Sequence, residues 1–404
     1  MTVIRAEQGP LTESKRRIIT LLYKGGPHAK RALAEKGHMG WATVVKAITQ
    51  LMDEGIIECS GIARRQTKRQ GKNAYLYGLT AHKPLAIGVD VEYKTTRIVL
   101  TNLSGAALAQ GTYKTPQHAN DQETKDFLRD SIQDFIHSNH IQGSTLDGIG
   151  IGIPGIGFPT GSRRDNIEKA RILEKYLSEV FHTSIRIETN TKAYAVFEKW
   201  SNETFSYGDF IFVSIRTGVG TGIFYLGKLF NGTHGLSGEI GHMKVVPNGP
   251  ACRCGSSGCL ETVVNQNYLY QQYRANVIKE VGWSPGSGEI SLFEGLADLF
   301  TRAKRGEEAA VRIVRTATSY LGHCIANAIT VLDINNIIIS GHFGPDGDAI
   351  LDPLREVIRA NILPKVEVNL SYYPFDPNGH TRGAALLVLT DYFADIPTQL
   401  AQKP

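Results

Sequence analysis

Gly238-Glu239-Ile240-Gly241-His242 runs on to Cys252-Arg253-Cys254-Gly255-Ser256-Ser257-Gly258-Cys259-Leu260-Glu261, and the reading of the whole chain turns on this stretch. It holds three of the five cysteines, a histidine ten positions before the first of them, and two glutamates close by. Thiolates from Cys252, Cys254 and Cys259, with one imidazole nitrogen of His242, form a soft four-donor set that suits tetrahedral zinc. Gly255 and Gly258 let the backbone fold tightly enough for the sulfurs to converge. The plain alternative is three buried thiols in a glycine-rich turn, and a lone C-x-C would support nothing more. The third cysteine and the upstream histidine favour the metal.

The longer run Asn231-Gly232-Thr233-His234-Gly235-Leu236-Ser237-Gly238-Glu239-Ile240-Gly241-His242, followed by C-x-C-G-x-x-G-C-x-E, resembles the signature of the ROK family. That family comprises bacterial sugar kinases and sugar-responsive repressors, and the resemblance spans nearly the whole chain. It implies that His242, Cys252, Cys254 and Cys259 hold a structural zinc, and that Glu239, His242 and Glu261 line a sugar pocket. The chemistry agrees. Hexose hydroxyls both donate and accept, and carboxylates and imidazole meet them on both counts. A zinc ion would fix the histidine ring so that its other nitrogen faces a hydroxyl.

A chain of 404 residues with 42% hydrophobic content predicts two or three globular domains. No apolar run approaches a membrane span, and the start, with Arg5, Glu7, Glu13 and Lys15-Arg16-Arg17, has no apolar signal-peptide region. With three cysteines in the metal-like cluster, only Cys59 and Cys324 remain. That is no disulfide framework, and a reducing cytoplasm is the expected location. Charge is uneven: residues 1–82 carry 14 Lys and Arg against 6 Asp and Glu, and the remainder 30 against 33. A basic module ahead of a mildly acidic body points to a polyanionic partner.

That module reads as three short helices, Ser14 to Tyr23, Ala29 to Glu35 and Trp41 to Glu54, the last with Val44, Ile48, Leu51 and Met52 at core spacing. Two strands, Ile56 to Cys59 and Ala74 to Tyr77, flank the basic run Arg64-Arg65-Gln66-Thr67-Lys68-Arg69-Gln70-Gly71-Lys72. Together they predict a winged helix-turn-helix for double-stranded DNA. A helical interaction module with a solvated charge run is the competing reading, and helix order, turn length and wing weigh against it. Trp41, Thr43 and Lys46 lie off the apolar face of the third helix and are the candidates for bases or phosphates. Arg64, Arg65, Lys68 and Arg69 are the wing candidates. The segment Gly40 to Lys46 also resembles the start of the recognition helix in ROK repressors, with Trp41 departing from the polar residue usual there.

Thr80 to Pro84 reads as a linker. Leu85 to Val91 and Thr96 to Asn102 form a strand pair, followed by a helix from Asp126 to Asn139 and a strand from Leu146 to Ile153. A helix from Ile167 to Phe181 and a strand from Ser184 to Glu188 come next. Asp209 to Thr217 with Gly222 to Leu226 starts a second pass, and helices follow at about 309–332 and 348–360. The alternation marks an α/β class. The second pass resembles the first, which fits a two-lobed, actin-like (ribonuclease-H-like) sugar-kinase fold behind the winged helix. The expected domains are residues 1–82, a small lobe of 83–190 with about 383–404, and a large lobe of 191–382 with the zinc site.

Kinase chemistry needs a phosphate loop, a general base and a second glycine-rich turn. ROK kinases carry Asp-x-Gly-Gly-Thr after the first strand, where this chain has Asp90-Val91-Glu92-Tyr93-Lys94. Glu92 would set like charge beside a phosphate, and Tyr93 would fill the space. The base in the kinases is the Asp of an Asn-Asp pair. Here Asn190 matches the sugar-binding Asn, and Thr191 stands where the Asp should be. A hydroxyl cannot take a sugar proton near neutral pH, and general-base catalysis is worth about 10²–10⁴-fold. Thr217-Gly218-Val219-Gly220-Thr221-Gly222 survives, although glycines there are also consistent with a simple tight turn. The expectation is therefore a non-enzyme with a pocket of Asn190, Glu239, His242 and Glu261. Such a protein would be a DNA-binding repressor, homodimeric or homotetrameric, released from its operator by a sugar or sugar phosphate. A repressor sequestered by a protein partner, as in one branch of these repressors, and an ROK sugar kinase are the alternatives.

Overall fold

The computed structural model describes residues 11–62, 74–83, 85–117, 119–141, 146–155, 163–201, 208–278 and 290–393. They fall into two compact units, Met1–Glu198 with His380–Pro404, and Lys199–Gly379.

The first unit opens with α1 (Glu13–Gly25), capped by the Thr12 hydroxyl, then β1 (His28–Ala29), α2 (Lys30–Lys36) and α3 (Trp41–Asp53). β2 (Ile57–Ile62) and β3 (Tyr75–Leu79) complete a three-stranded antiparallel sheet of order β1-β3-β2. Ile18, Ile19 and Leu22 of α1, Leu33 of α2 and Val44, Ala47, Ile48 and Leu51 of α3 are buried, as the 3.6-residue period demands. Met52, read from the sequence as core, is 41% exposed, because it lies one position beyond the stripe that Leu51 ends.

The residues that follow β3 are fastened at several points. Lys83 Nζ donates to the Glu54 carbonyl at 2.7 Å, and Asn102 Nδ2 donates to the Ala81 carbonyl at 2.7 Å. Tyr23 of α1 meets Phe393 edge-on, with ring centroids 5.0 Å apart.

β4 (Ala86–Val91), β5 (Thr95–Thr101), β6 (Ala107–Lys114), α4 (Asp121–Ser138), β7 (Gly148–Ile153), α5 (Arg163–Phe181), β8 (Ser184–Thr189) and α6 (Asn190–Ser201) follow. Their sheet has the order β6-β5-β4-β7-β8, antiparallel across β4, β5 and β6 and parallel from β4 through β7 to β8. One face buries Ile87, Val89, Ile149 and Ile151 against Leu128, Ile132 and Phe135 of α4 and Leu173 and Leu177 of α5.

The second unit repeats this plan. β9 (Phe210–Ile215), β10 (Val219–Tyr225) and β11 (Lys228–Leu229) are antiparallel, and β12 and β13 add in parallel, giving the order β11-β10-β9-β12-β13. Between β11 and β12 the chain forms α7 (Glu261–Val264), α8 (Gln266–Tyr273), α9 (Leu292–Lys304) and the 25-residue α10 (Glu308–Leu332). β12 (Asn336–Gly341), α11 (Leu351–Ala360) and β13 (Asn369–Pro374) close the unit. Ile211, Val213, Ile337 and Ile339 of the sheet pack with Leu321 and Ile325 of α10.

α12 (Gly379–Leu387) lies directly on the sheet of the first unit. A Cβ at Gly88 would stand 1.9 Å from the Thr381 carbonyl oxygen, and one at Gly150 only 1.7 Å from that of Ala384. Backbone therefore touches backbone, a contact only glycine permits, and it sets His380 at the carboxyl end of β4. Gly150→Ala should force this helix off the sheet and destabilise the protein by at least about 1–3 kcal/mol. A urea midpoint unchanged from wild type would contradict that packing.

Candidate functional site

The stretch from Gly238 to Glu261 has almost no regular structure, only a single 3₁₀ turn at Ile240–His242 and isolated bridges Lys244↔Cys259 and Ala251↔Ser257. Backbone bonds shape it instead. Cys252 N–H donates to Ser256 O at 2.7 Å, Gly258 N–H to Pro250 O at 2.9 Å, and Val245 N–H to Gly258 O at 2.9 Å. Gly258 is left-handed (φ 68°), and a Cβ there would lie 1.9 Å from the Val246 carbonyl oxygen.

This knot brings one donor atom each from His242, Cys252, Cys254 and Cys259 within 4.8 Å of one another. Around a tetrahedral ion with sulfurs at about 2.3 Å, sulfur–sulfur separations come to about 3.8 Å. The Cys254 and Cys259 sulfurs stand 3.7 Å apart, and His242 Nδ1 lies 3.4 Å from the Cys252 sulfur. The donor set therefore fits a metal in number, kind and spacing. Burial pushes the Cys252 thiol up to about 12, so an anionic sulfur there needs a cation beside it. Lys244 Nζ reaches the Cys259 sulfur at 3.2 Å, an outer contact of the sort that steadies a ligand.

His242 presents its two nitrogens to different neighbours. Nδ1 faces Cys252, while Nε2 lies 3.7 Å from Glu239 Oε2. A metal held on Nδ1 leaves the proton on Nε2, which then points as a donor towards the Glu239 side. Glu261 is buried at the start of α7. Its carboxylate is gripped by Arg253, Nε to Oε1 at 3.2 Å and Nη2 to Oε2 at 3.3 Å. A buried carboxylate needs such a partner. The sequence singled out Glu261 and passed over Arg253. A cation between two metal-ligand cysteines, eight positions before an acid, was the available signal. Gly218, at the tip of the β9–β10 turn, leaves room for this pair, since a Cβ there would meet Arg253 Nη2 at 2.6 Å and Glu261 Oε2 at 2.8 Å.

Glu239, His242 and Glu261 are thus brought together in the second unit. Asn190 opens α6 of the first unit, with Thr191 next to it. Its Nδ2 donates to Asp90 Oδ1 at 2.7 Å. In the turn after β4, Glu92 Oε2 lies 3.6 Å from Arg97 and its Oε1 3.9 Å from His380 Nδ1. Tyr93, expected to fill space there, is instead 67% exposed. The turn is wide enough to carry the ring out into solvent.

A sequence profile described as the ROK family matches residues 86–391, well over half of the chain. The chain belongs to the ROK family. The transcriptional dual regulator NagC of Escherichia coli (strain K12) is 26% identical over 358 residues, covering 87% of this chain and 86% of that protein. A glucokinase of Halalkalibacterium halodurans is 28% identical over 291 residues, 69% of this chain and 87% of the kinase. Among solved structures, an ROK family transcriptional regulator described as a homologue of the E. coli MLC protein superposes with a TM-score of 0.72. It is 22% identical and covers 96% of this chain and 98% of its own, and so speaks for the fold.

Ahead of the ROK domain, Trp41, Thr43 and Lys46 are all exposed on α3, with Trp41 at 58%. Thr43 and Lys46 turn away from Val44, Ile48 and Leu51, whereas Trp41, three positions before Val44, is in line with that stripe and is exposed as the first residue of the helix, a correction to its placement off the apolar face. Arg64, Arg65, Lys68 and Arg69 lie outside the described residues.

Cys254→Ser replaces a soft thiolate with a poor ligand. It should empty the cluster of metal, with a loss of affinity above the ~10–100-fold that an outer hydrogen-bond partner is worth, and lower the melting temperature. Elemental analysis of both proteins is the check. A metal-free wild type that melts like the variant would remove the cluster from consideration as a metal site.

Proposed function

We propose that this ROK protein is a sugar-responsive transcriptional repressor of genes for carbohydrate uptake or catabolism. Its N-terminal helices and hairpin act as a winged helix-turn-helix on a double-stranded operator, and a sugar or sugar phosphate bound to the ROK domain releases it. The observation that carries this reading is what precedes the ROK domain. The module of α1 to α3 buries one face of α3, exposes Thr43 and Lys46 away from it, and leaves Trp41 exposed at the start of the helix. The similarity to the NagC regulator extends over 87% of the chain, whereas similarity to the glucokinase stops at 69%.

In this reading zinc is the structural ion of His242, Cys252, Cys254 and Cys259. Glu239, His242 and Glu261 bind the effector's hydroxyls, with Asn190 as a fourth group. Three domains, 1–82, 83–190 with about 383–404, and 191–382, divide DNA binding, the small lobe and the zinc-bearing large lobe. The protein works in the cytoplasm, and no helix among its described residues is long and apolar enough to cross a membrane. A homodimer or homotetramer presents paired recognition helices, so the operator is a near-palindrome. Arg64, Arg65, Lys68 and Arg69 supply phosphate or minor-groove contacts.

Thr191 in place of a carboxylate argues against catalysis. Incubation with ATP and a panel of hexoses should give no phosphoryl transfer above background, and turnover that a change at Asn190 or Glu261 abolishes would restore the kinase reading.

Operator titration tests the rest. Arg65→Ala with Arg69→Ala should weaken binding and flatten its salt dependence. Glu261→Ala should bind the operator yet lose the response to sugar, a coupling of about 1–3 kcal/mol, or ~5–150-fold in affinity. If no sugar or sugar phosphate alters operator affinity while another protein does, sequestration by that partner is the mechanism.

A further inference from the structure

Asp90 survives from the stretch where ROK kinases hold phosphate, and its use here is different. It is fully buried near the end of β4, while Asn190, a hundred positions later, opens α6 on the far side of β7. The Asn190 side-chain nitrogen donates twice, to Asp90 Oδ1 at 2.7 Å and to the Val91 carbonyl at 3.1 Å. An amide nitrogen has two hydrogens, and both are used. A carbonyl can only accept, and so can an ionised carboxylate. Turning the amide over would therefore set its oxygen against two others and forfeit both bonds.

Asp90 is itself held in place by charge. Arg97 Nη1 lies 3.7 Å from its Oδ2, and His380 Nδ1, on the helix pressed against the sheet glycines, lies 3.8 Å from the same oxygen. Arg97 also faces Glu92, so the cluster of Asp90, Glu92 and His380 has its own cation. The consequence falls on the remaining atom. Asn190 Oδ1 is shielded from solvent and has no hydrogen-bond partner among the described residues. Buried acceptors are normally satisfied, so this one is left for something that arrives.

We infer that Asp90 is a positioning residue that fixes the polarity of Asn190. The effector meets a carbonyl oxygen there, never the N–H, and so must offer a donor, a hydroxyl in a sugar. This rests on the reading that Asn190 belongs to the effector site. A strut that merely ties β4 to α6 would not care which analogue binds.

The test uses Asp90→Asn, whose amide can face Asn190 either way, so that only the weaker 3.1 Å bond to the Val91 carbonyl still opposes a turned Asn190. D-glucose and N-acetyl-D-glucosamine are compared with their deoxy and deoxyfluoro analogues at each ring position by calorimetry, with melting curves as the control for folding. Fluorine keeps the size and polarity of a hydroxyl but cannot donate. At one ring position, wild type should bind the deoxyfluoro sugar no better than the deoxy sugar. Asp90→Asn should prefer the fluoro analogue there by about tenfold, the worth of one recovered hydrogen bond. An identical fluoro-to-deoxy ratio in both proteins at every position overturns the inference.

Sugar binding by neither protein would instead tell against Asn190 as an effector ligand. The polarity itself is then decided without ligand, from side-chain amide exchange in protein labelled with ¹⁵N-asparagine. Slow exchange of both Asn190 side-chain protons, lost in Asp90→Asn, upholds the fixed amide, and fast exchange in wild type refutes it.

Discussion

Three sulfurs and an imidazole nitrogen crowded within 4.8 Å are a constraint from which much of the second unit follows. Thiolates at that distance repel, and thiols packed there would waste a pocket shaped for tetrahedral coordination. A shared cation would resolve both problems. The arrangement reaches beyond the loop, because the same imidazole that completes the donor set turns Nε2 towards Glu239. The loop's bonds to Pro250, Ser256 and Gly258 also deliver Cys259 into the short stretch that starts α7, and with it Glu261. A segment with hardly any helix or strand thus holds two carboxylates and a histidine in fixed relation.

A second theme is how buried carboxylates are partnered. Glu261 is met by Arg253 through two bonds, and Asp90 by Arg97, His380 and the Asn190 amide. Asp90 lies near the end of β4 and Glu261 at the start of α7, and each has an arginine from a neighbouring segment beside it. Such pairs do little for net stability, because desolvation offsets the attraction. What they supply is orientation, and orientation is what a recognition site needs.

The sequence was most informative where a local period or a spacing encodes the answer. The three N-terminal helices, the first strand pair and the cysteine loop were legible because each announces itself within a dozen residues. β6 has no counterpart in the sequence reading although its residues alternate in exposure along the whole strand, and without the Asn120–Glu123 capping box that starts α4 the expected helix begins five residues late. β12, short and apolar, and β13, short and of mixed polarity, carry no period of their own. Met52 was assigned to the core by adjacency to Leu51, and a helix turns 100° in that one step. The bond between Asp90 and Asn190 has no counterpart in the sequence reading, because the partners lie a hundred positions apart and nothing local in a chain announces a hydrogen bond across a strand. Arg253 was missed for a related reason, since the eye stops at the cysteines on either side of it.

Tyr23 and Phe393 stack edge to face although they stand near opposite ends of the described chain. During synthesis the three helices, which carry their own buried residues, leave the ribosome well before the phenylalanine that meets Tyr23. A nascent chain therefore has its helical head long before this clasp. The rings are separated by almost the whole described chain, so this is a long-range contact that neither segment can make by itself.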